Sequence, residues 1–257
     1  MFCFTFSRSI TTMLKNKIRN WCQQLIGLNR YLFVFSWVNI FRIRYLGAEK
    51  EFVFFMKQIQ GDGIILDIGA NVGTMTIVLA QKFPNSRIYA FEPVPANART
   101  IRQLTGCFRL KNINLITTAL GNTNGTTLMV TPAMDNSIMH GLSYVWQQPA
   151  RAAPADAFEV PVTRLDSIPE LGGEKRITAI KIDVENFEYY VLEGGRNLLQ
   201  KHRPLVYAEL WDDAKRSLCM QLMQDLGYTA AVYRNGELVK YTGEDALNYF
   251  FLPGGSQ

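Results

Sequence analysis

Acidic side chains at the ends of apolar runs are the residues of this sequence best placed to do chemistry. Asp67 follows Ile64-Ile65-Leu66, Glu92 follows Ile88 to Phe91, Asp183 follows Ile177 to Ile182, and Glu209 closes Leu205 to Ala208. Such short runs, rich in β-branched residues, read as strands buried on both faces of a sheet. Ligands of an open α/β sheet bind outside the carboxyl ends of its strands, where these acids fall. Carboxylates there can receive hydroxyls or exchange protons. Beyond Asp183, Glu185 and Glu188 can serve as base, as metal ligands, or as acids favoured at a helix N-terminus. Of the two histidines, His140 sits in a long polar stretch. Its near-neutral titration suits a general base for a hydroxyl nucleophile, although a loop histidine is as readily structural. His202, before Arg203-Pro204, reads as structural.

The element that positions the first acid is Ile64 to Gly73 (IILDIGANVG) followed by Thr74 to Phe83 with helical apolar spacing. A strand, a glycine loop and a helix bring backbone close to a nucleotide-like ligand. The dinucleotide fingerprint G-x-G-x-x-G sets pyrophosphate on the helix N-terminus. Here Asn71 holds the middle position and Asp67 precedes the first glycine by two. An anionic side chain is a poor neighbour for pyrophosphate and suits a cofactor bearing an ammonium and a sulfonium, S-adenosylmethionine. Glu92, ending the second strand, stands at the distance from Gly69 at which a carboxylate receives ribose hydroxyls. Pro93 and Pro95 stop that strand and open a helix from about Ala96 to Leu104. Ala70 and Pro93, beside these acids, are expected to contact the cofactor, and Ala119 and Leu120 are set at the third strand's end to help form an adenine pocket.

The chain has 257 residues, 48% of them hydrophobic, which is ample for one α/β domain and short for two. Four cysteines without C-x-x-C or a pairing pattern fit a reduced, intracellular protein and give no case for zinc. Seven of the 27 basic residues lie in the first 48 positions, which hold no acid, so the remainder sets 20 basic residues against 22 acids. In that segment Leu14, Ile18, Trp21, Cys22, Leu25 and Ile26 recur at helical spacing, and Tyr31 to Phe41 is an aromatic run flanked by Arg30, Arg42 and Arg44. It is too short for a transmembrane helix and no cleavage site follows. Three readings are open: helices packed on the domain, a basic amphipathic element on an anionic membrane surface, or a transit peptide.

Further along, Asn114 to Leu120 reads as a third strand with Thr126 to Val130 paired to it as a hairpin or sheet extension. Residues 131–158 read as a substrate loop or lid containing His140, Trp146 and Pro149. A short strand, Val160 to Arg164, precedes the strand Ile177 to Ile182. Tyr189 to Gln200 is a helix interrupted at Gly194-Gly195, Ala214 to Leu226 is a helix capped by Gly227, and Asn235-Gly236 marks a hairpin before a last strand, Leu247 to Leu252. The Asn-Pro-Pro-aromatic sequence of many nucleic-acid and amide-nitrogen methyltransferases is missing, which lowers a nucleic-acid role.

Together LDIGANVGTMT, FEPVPANA, VTRLDSI, KIDVENFEYYVLEGG and PLVYAEL resemble the FkbM family of S-adenosylmethionine-dependent methyltransferases, over roughly Gly61 to Leu252. The resemblance implies a class I methyltransferase (Rossmann-like) α/β fold: a mixed, mostly parallel seven-stranded sheet with flanking helices, a C-terminal hairpin and, outside the resemblance, an N-terminal helical extension at 1–60. It implies O-methylation, often of sugar or polyketide hydroxyls, by a domain spanning 61–257. Carried over, Asp67, Gly69, Asn71 and Gly73 line the cofactor loop, Glu92 takes the ribose and Asp183 marks the fourth-strand edge. The family's glycine after Asp-Val-Glu is Asn186 here, a residue that tolerates left-handed backbone. The expected reaction is in-line transfer from sulfonium to a hydroxyl of a saccharide or small acceptor. Its base is one of His140, Asp183, Glu185 and Glu209, and a magnesium-assisted variant is open. The expected address is the cytoplasm, with peripheral contact at the inner face of a membrane. The alternatives are a non-catalytic, membrane-docked cofactor-binding module and an NAD-dependent oxidoreductase, the latter disfavoured by the missing middle glycine.

Overall fold

The computed structural model describes residues 17–134, 137–147, 152–173 and 175–254. The expectations that rest on Leu14, Asn136 and Pro149 lie outside the described residues. Residues 17–26 are helical and lead into α1, Leu28–Leu46, and α2, Lys50–Gln58. The alternating core follows: β1 (Ile64–Ile68), α3 (Thr74–Lys82), β2 (Arg87–Phe91), α4 (Pro95–Cys107) and β3 (Ile113–Ile116). Next come β4 (Ala119–Gly121), β5 (Gly125–Val130), the two-residue strands β6 (Ala133–Met134) and β7 (Ser137–Ile138), β8 (Tyr144–Val145) and β9 (Phe158–Arg164). The chain ends with β10 (Ile177–Ile182), α5 (Glu188–Gly194), α6 (Arg196–His202), β11 (Leu205–Glu209), α7 (Ala214–Asp225), β12 (Tyr228–Arg234), β13 (Glu237–Lys240) and β14 (Asn248–Pro253).

The main sheet runs β13-β12-β14-β11-β10-β1-β2-β3. Its five strands from β11 to β3 pair in parallel and the other three join through antiparallel pairings, the expected class I arrangement with an eighth strand, β13, added at the edge by the C-terminal hairpin. β1 lies in the middle and is buried along its whole length. Its alternation serves two cores. Ile64, Leu66 and Ile68 pack with Val191, Leu199 and Leu222 from α5, α6 and α7, whereas Ile65 packs with Phe55, Ile77 and Leu79 from α2 and α3. Each fully buried side chain of this size contributes about 1.5–3 kcal/mol.

The structure corrects the reading of the middle of the chain. The expected third strand, Asn114 to Leu120, is two strands. β3 stays in the main sheet, and at Thr117-Thr118 the chain turns so that β4 enters a second sheet, β4-β9-β5-β8. Thr118 holds the turn, its hydroxyl donating to Pro161 O at 2.9 Å. β5 pairs with β9 and β8, not with the third strand. Within 131–158 the described residues form more than a bare loop. They carry β6, β7, β8 and a single 3-10 turn at His140–Leu142.

The N-terminal helices are built onto this frame. α1 packs on α3 and α4 with Leu32, Ser36, Ile40 and Ile43 buried, and the Ser36 hydroxyl reaches Val72 O at 3.2 Å.

Candidate active site

The loop after β1 is pinned to the end of β2. The amides of Gly69 and Ala70 both donate to Phe91 O, at 3.1 and 3.0 Å. Asn71 follows in left-handed backbone at φ 50°, a region Asn tolerates better than most residues. Its amide donates to the Glu92 carboxylate at 2.8 Å. Glu92 also accepts from Val94 N at 2.9 Å and Asn97 Nδ2 at 3.2 Å. Burial pushes its carboxyl up to about 7 despite these three donors.

Beneath the loop lies an ion group absent from the sequence reading. Lys181, on β10, is paired in register with Asp67 on β1. Its ammonium sits 3.5 Å from Asp67 and 3.4 Å from Asp183 and donates to Gly69 O at 3.0 Å. Thr76 Oγ1 donates to the other Asp67 oxygen at 2.6 Å. Burial alone would lower the lysine, but Asp183 and Asp67 outweigh it and its proton is held above the ordinary range. Asp67 is wholly buried. It has Thr76 of α3 as one partner and Lys181 as the other, and Lys181 in turn holds the loop and Asp183.

A cavity opens over these strand ends. Gly69, Asn71, Glu92, Pro93, Ala119 and Asp183 line it, joined by Asn97, His140 and Glu185. Ala70 instead faces a neighbouring pocket under α1. Gly73 lines neither and caps α3 at φ 81°, where a Cβ would stand 2.7 Å from Ile101 Cγ1. Glycine is required there by the turn and by the packing against Ile101. Three buried polar atoms on cavity residues lack a hydrogen-bond partner: Asn71 Oδ1, Asn97 Oδ1 and His140 Nδ1. An unsatisfied buried polar atom costs about 1–3 kcal/mol. Acceptors clustered beside a buried carboxylate fit a ligand rich in hydroxyl and amino donors, as a nucleoside carrying an amino acid is.

Past β10 the chain turns sharply outward. Glu185 and Asn186 both take left-handed backbone, φ 53° and 67°, at a cost of order 1–3 kcal/mol each. The missing family glycine is thus met by Asn186 as expected, and Glu185 shares the strain. Burial, then Asp183, Glu209 and Glu188, push the Glu185 carboxyl up to about 8. Burial and Asp183 raise Glu209 to about 7. Glu188 accepts from Val184 N at 3.0 Å and begins α5, so its work is structural. On the outer side of Glu185 a groove runs between Tyr144, Trp146 and Trp211, with Asn186 and Lys215 on its floor. Lys215 donates to Gln147 Oε1 at 2.7 Å and to Asn186 O at 2.9 Å, tying the segment after β8 to the turn.

Among the described residues no three His, Cys, Asp or Glu side chains converge on a metal-sized site. Asp67 and Asp183 are bridged by the Lys181 ammonium. These residues do not fit magnesium.

His140 closes the cavity from above. It is buried between the edges of Phe35 and Tyr31 of α1, at centroid distances of 5.3 and 6.3 Å. Burial, and then the Arg19 charge, lower it to about 4, so it is neutral at ordinary pH. The strand before it is held by Gln23, which donates to Ile138 O at 3.2 Å and accepts from Ile138 N at 3.0 Å.

The structure therefore brings His140, Asp183 and Glu185 to one cavity, with Glu209 behind them at the sheet edge. Sequence reasoning missed Lys181, Asn97 and Gln23. Only Lys181 carried a signal, as the lone charge in the apolar run ITAIKI, where a buried lysine requires a partner.

The family model of the methyltransferase FkbM domain matches residues 67–230. The chain belongs to the FkbM methyltransferase family. Methyltransferase 1 of Beauveria bassiana is 30% identical over 67% of this chain and 75% of its own length. The 2-O-methyltransferase NoeI of Sinorhizobium fredii is 30% identical over 59% of this chain and 64% of its own, and the hexuronic acid methyltransferase AglP of Haloferax volcanii 23% over 63% and 62%. Among solved structures, the FkbM methyltransferase of Methylobacillus flagellatus aligns with a TM-score of 0.51 at 15% identity, covering 76% of this chain and 45% of that one. At that identity it speaks for the class I fold alone. Family membership makes this FkbM chain a methyltransferase and sets aside the NAD-dependent oxidoreductase alternative.

Proposed function

We propose that the chain transfers a methyl group from S-adenosylmethionine to a hydroxyl oxygen of a saccharide or another small natural-product acceptor. In this reading residues 61–257 form the catalytic domain, 131–158 its acceptor loop and 1–60 an extension. The protein works in the cytoplasm, at the inner face of a membrane. Bound S-adenosylmethionine supplies an electrophilic methyl on a sulfonium. Glu92, with Asn71 and Asn97 beside it, receives the hydroxyls of the nucleoside, and Pro93 and Ala119 wall the base. Lys181 fixes Asp183 at the cavity wall, and the His140 turn excludes water. The acceptor enters along the groove of Trp146 and Trp211, and Glu185 removes its hydroxyl proton. Holding oxygen and methyl in line contributes the larger part of the acceleration.

One observation carries the reading: Glu185 lines both the cofactor cavity and the outer groove. Its raised pKa matches a base working near neutral pH, whereas the lowered His140 is a weaker base and is assigned to closure. The test is calorimetric titration with S-adenosylmethionine, S-adenosylhomocysteine and NAD, followed by methyl-transfer assays on hydroxylated saccharides. Wild type and Glu185→Gln are expected to bind the first two ligands equally, with transfer reduced about 10²–10⁴-fold in the variant. Preference for NAD would overturn the cofactor assignment. Unimpaired transfer in Glu185→Gln would overturn the choice of base, and transfer by neither protein would leave the cofactor-binding module.

A further inference from the structure

Ten of the sixteen large apolar side chains left exposed among the described residues lie between Ile18 and Leu46. At 3.6 residues per turn, Val34, Trp37, Val38, Phe41 and Tyr45 share the face of α1 opposite its buried Leu32, Ser36, Ile40 and Ile43. Arg42 and Arg44 stand on the two flanks of that strip, both exposed. In the preceding helix Ile18, Trp21 and Leu25 form a second exposed row. A helix apolar on two faces requires a cover on both. The domain covers one.

We propose that the outer face of residues 17–46 docks on an anionic lipid bilayer. Charge selects this occupant. The first 48 residues hold seven basic side chains and no acid, matching an anionic surface worth about 1 kcal/mol per Lys or Arg near it. A second copy of the same face would set arginine against arginine, which disfavours self-pairing. Tryptophan and tyrosine are the side chains that sit at the headgroup level. No helix among the described residues is long and apolar enough to cross a membrane, so the element lies on the surface. A flank of the same helices carries Gln23, Tyr31 and Phe35, which contact Ile138 and His140 over the cavity. Docking thus presents the acceptor groove to substrates carried on the membrane. The docking surface itself goes beyond the enzymatic reading and does not depend on it.

The experiment is flotation of the full chain with vesicles of phosphatidylcholine alone or mixed with phosphatidylglycerol, at low and high salt, with cofactor affinity measured in parallel. Binding to the mixed vesicles only, fading at high salt, is expected. Arg42→Gln and Arg44→Gln each weaken it roughly fivefold. Trp37→Ser with Phe41→Ser abolishes it while the melting temperature and cofactor affinity stay unchanged, since both side chains are exposed. Binding indifferent to phosphatidylglycerol, or no binding, overturns the proposal. So does a dimer by light scattering that Trp37→Ser with Phe41→Ser dissociates. Loss of cofactor affinity in wild type would sink the enzymatic reading and leave the docking result standing.

Discussion

Gly69 and Asp183 meet backbone to backbone: a Cβ on Gly69 would lie 1.8 Å from the Asp183 carbonyl oxygen. Asp183 N donates to Ile68 O at 3.1 Å, and Gly69 itself is left-handed at φ 74°. Two strand ends are thereby joined at the point where the cavity begins. Gly69→Ala strains the backbone and forces the loop from β10, costing about 1–3 kcal/mol or more. A fall in melting temperature and at least a tenfold loss of S-adenosylmethionine affinity by calorimetry are expected. Unchanged affinity would show that the loop does not position the ligand.

Lys181→Met leaves Asp67 as an uncompensated buried carboxylate. Breaking a buried pair this way costs about 3–5 kcal/mol, whereas removing both charges is often close to neutral. Urea denaturation should therefore find the single variant strongly destabilised and Lys181→Met with Asp67→Asn substantially recovered. Equal damage from single and double variants would refute the ion group.

Glu92 titrates at about 7 because it is buried. Hydroxyl donors bind its anion, so binding below that pH requires Glu92 to release its proton first. Affinity for S-adenosylhomocysteine is expected to fall about tenfold per unit below pH 7. Glu92→Gln should bind weakly and without that slope.

For Glu185, raised to about 8, two pH effects have opposite signs. Between its ordinary 4.5 and 8 the folded chain keeps a proton that the unfolded chain has lost. Stability from this group therefore falls as pH rises through that window and levels off above it. As the base, Glu185 must be deprotonated, so kcat/KM rises over the same window toward a plateau above 8. Glu185→Gln should flatten both curves. A pH–rate profile left intact in that variant would move the base elsewhere.

Much of this was legible because it is local. The run from Ile64 to Phe83 and the Glu92 strand announce themselves by periodicity and punctuation, and both stand as expected. What escaped depends on distant partners. The break at Thr117-Thr118 is fixed by a bond to Pro161, 43 positions on, and no local preference ends a strand there. Lys181 escaped for the same reason: its partner Asp67 lies across the sheet, 114 residues earlier in the chain.

Gln23 serves as a strand one residue long. The short β6–β7 pair has an outer edge whose donor and acceptor would otherwise be free, and a single side-chain amide from the N-terminal helices satisfies both. Open edges of this kind recruit other chains. A catalytic fragment trimmed to begin near residue 61 would therefore expose an adhesive seam beside the active site, in addition to the core face that Phe52 and Phe55 of α2 cover.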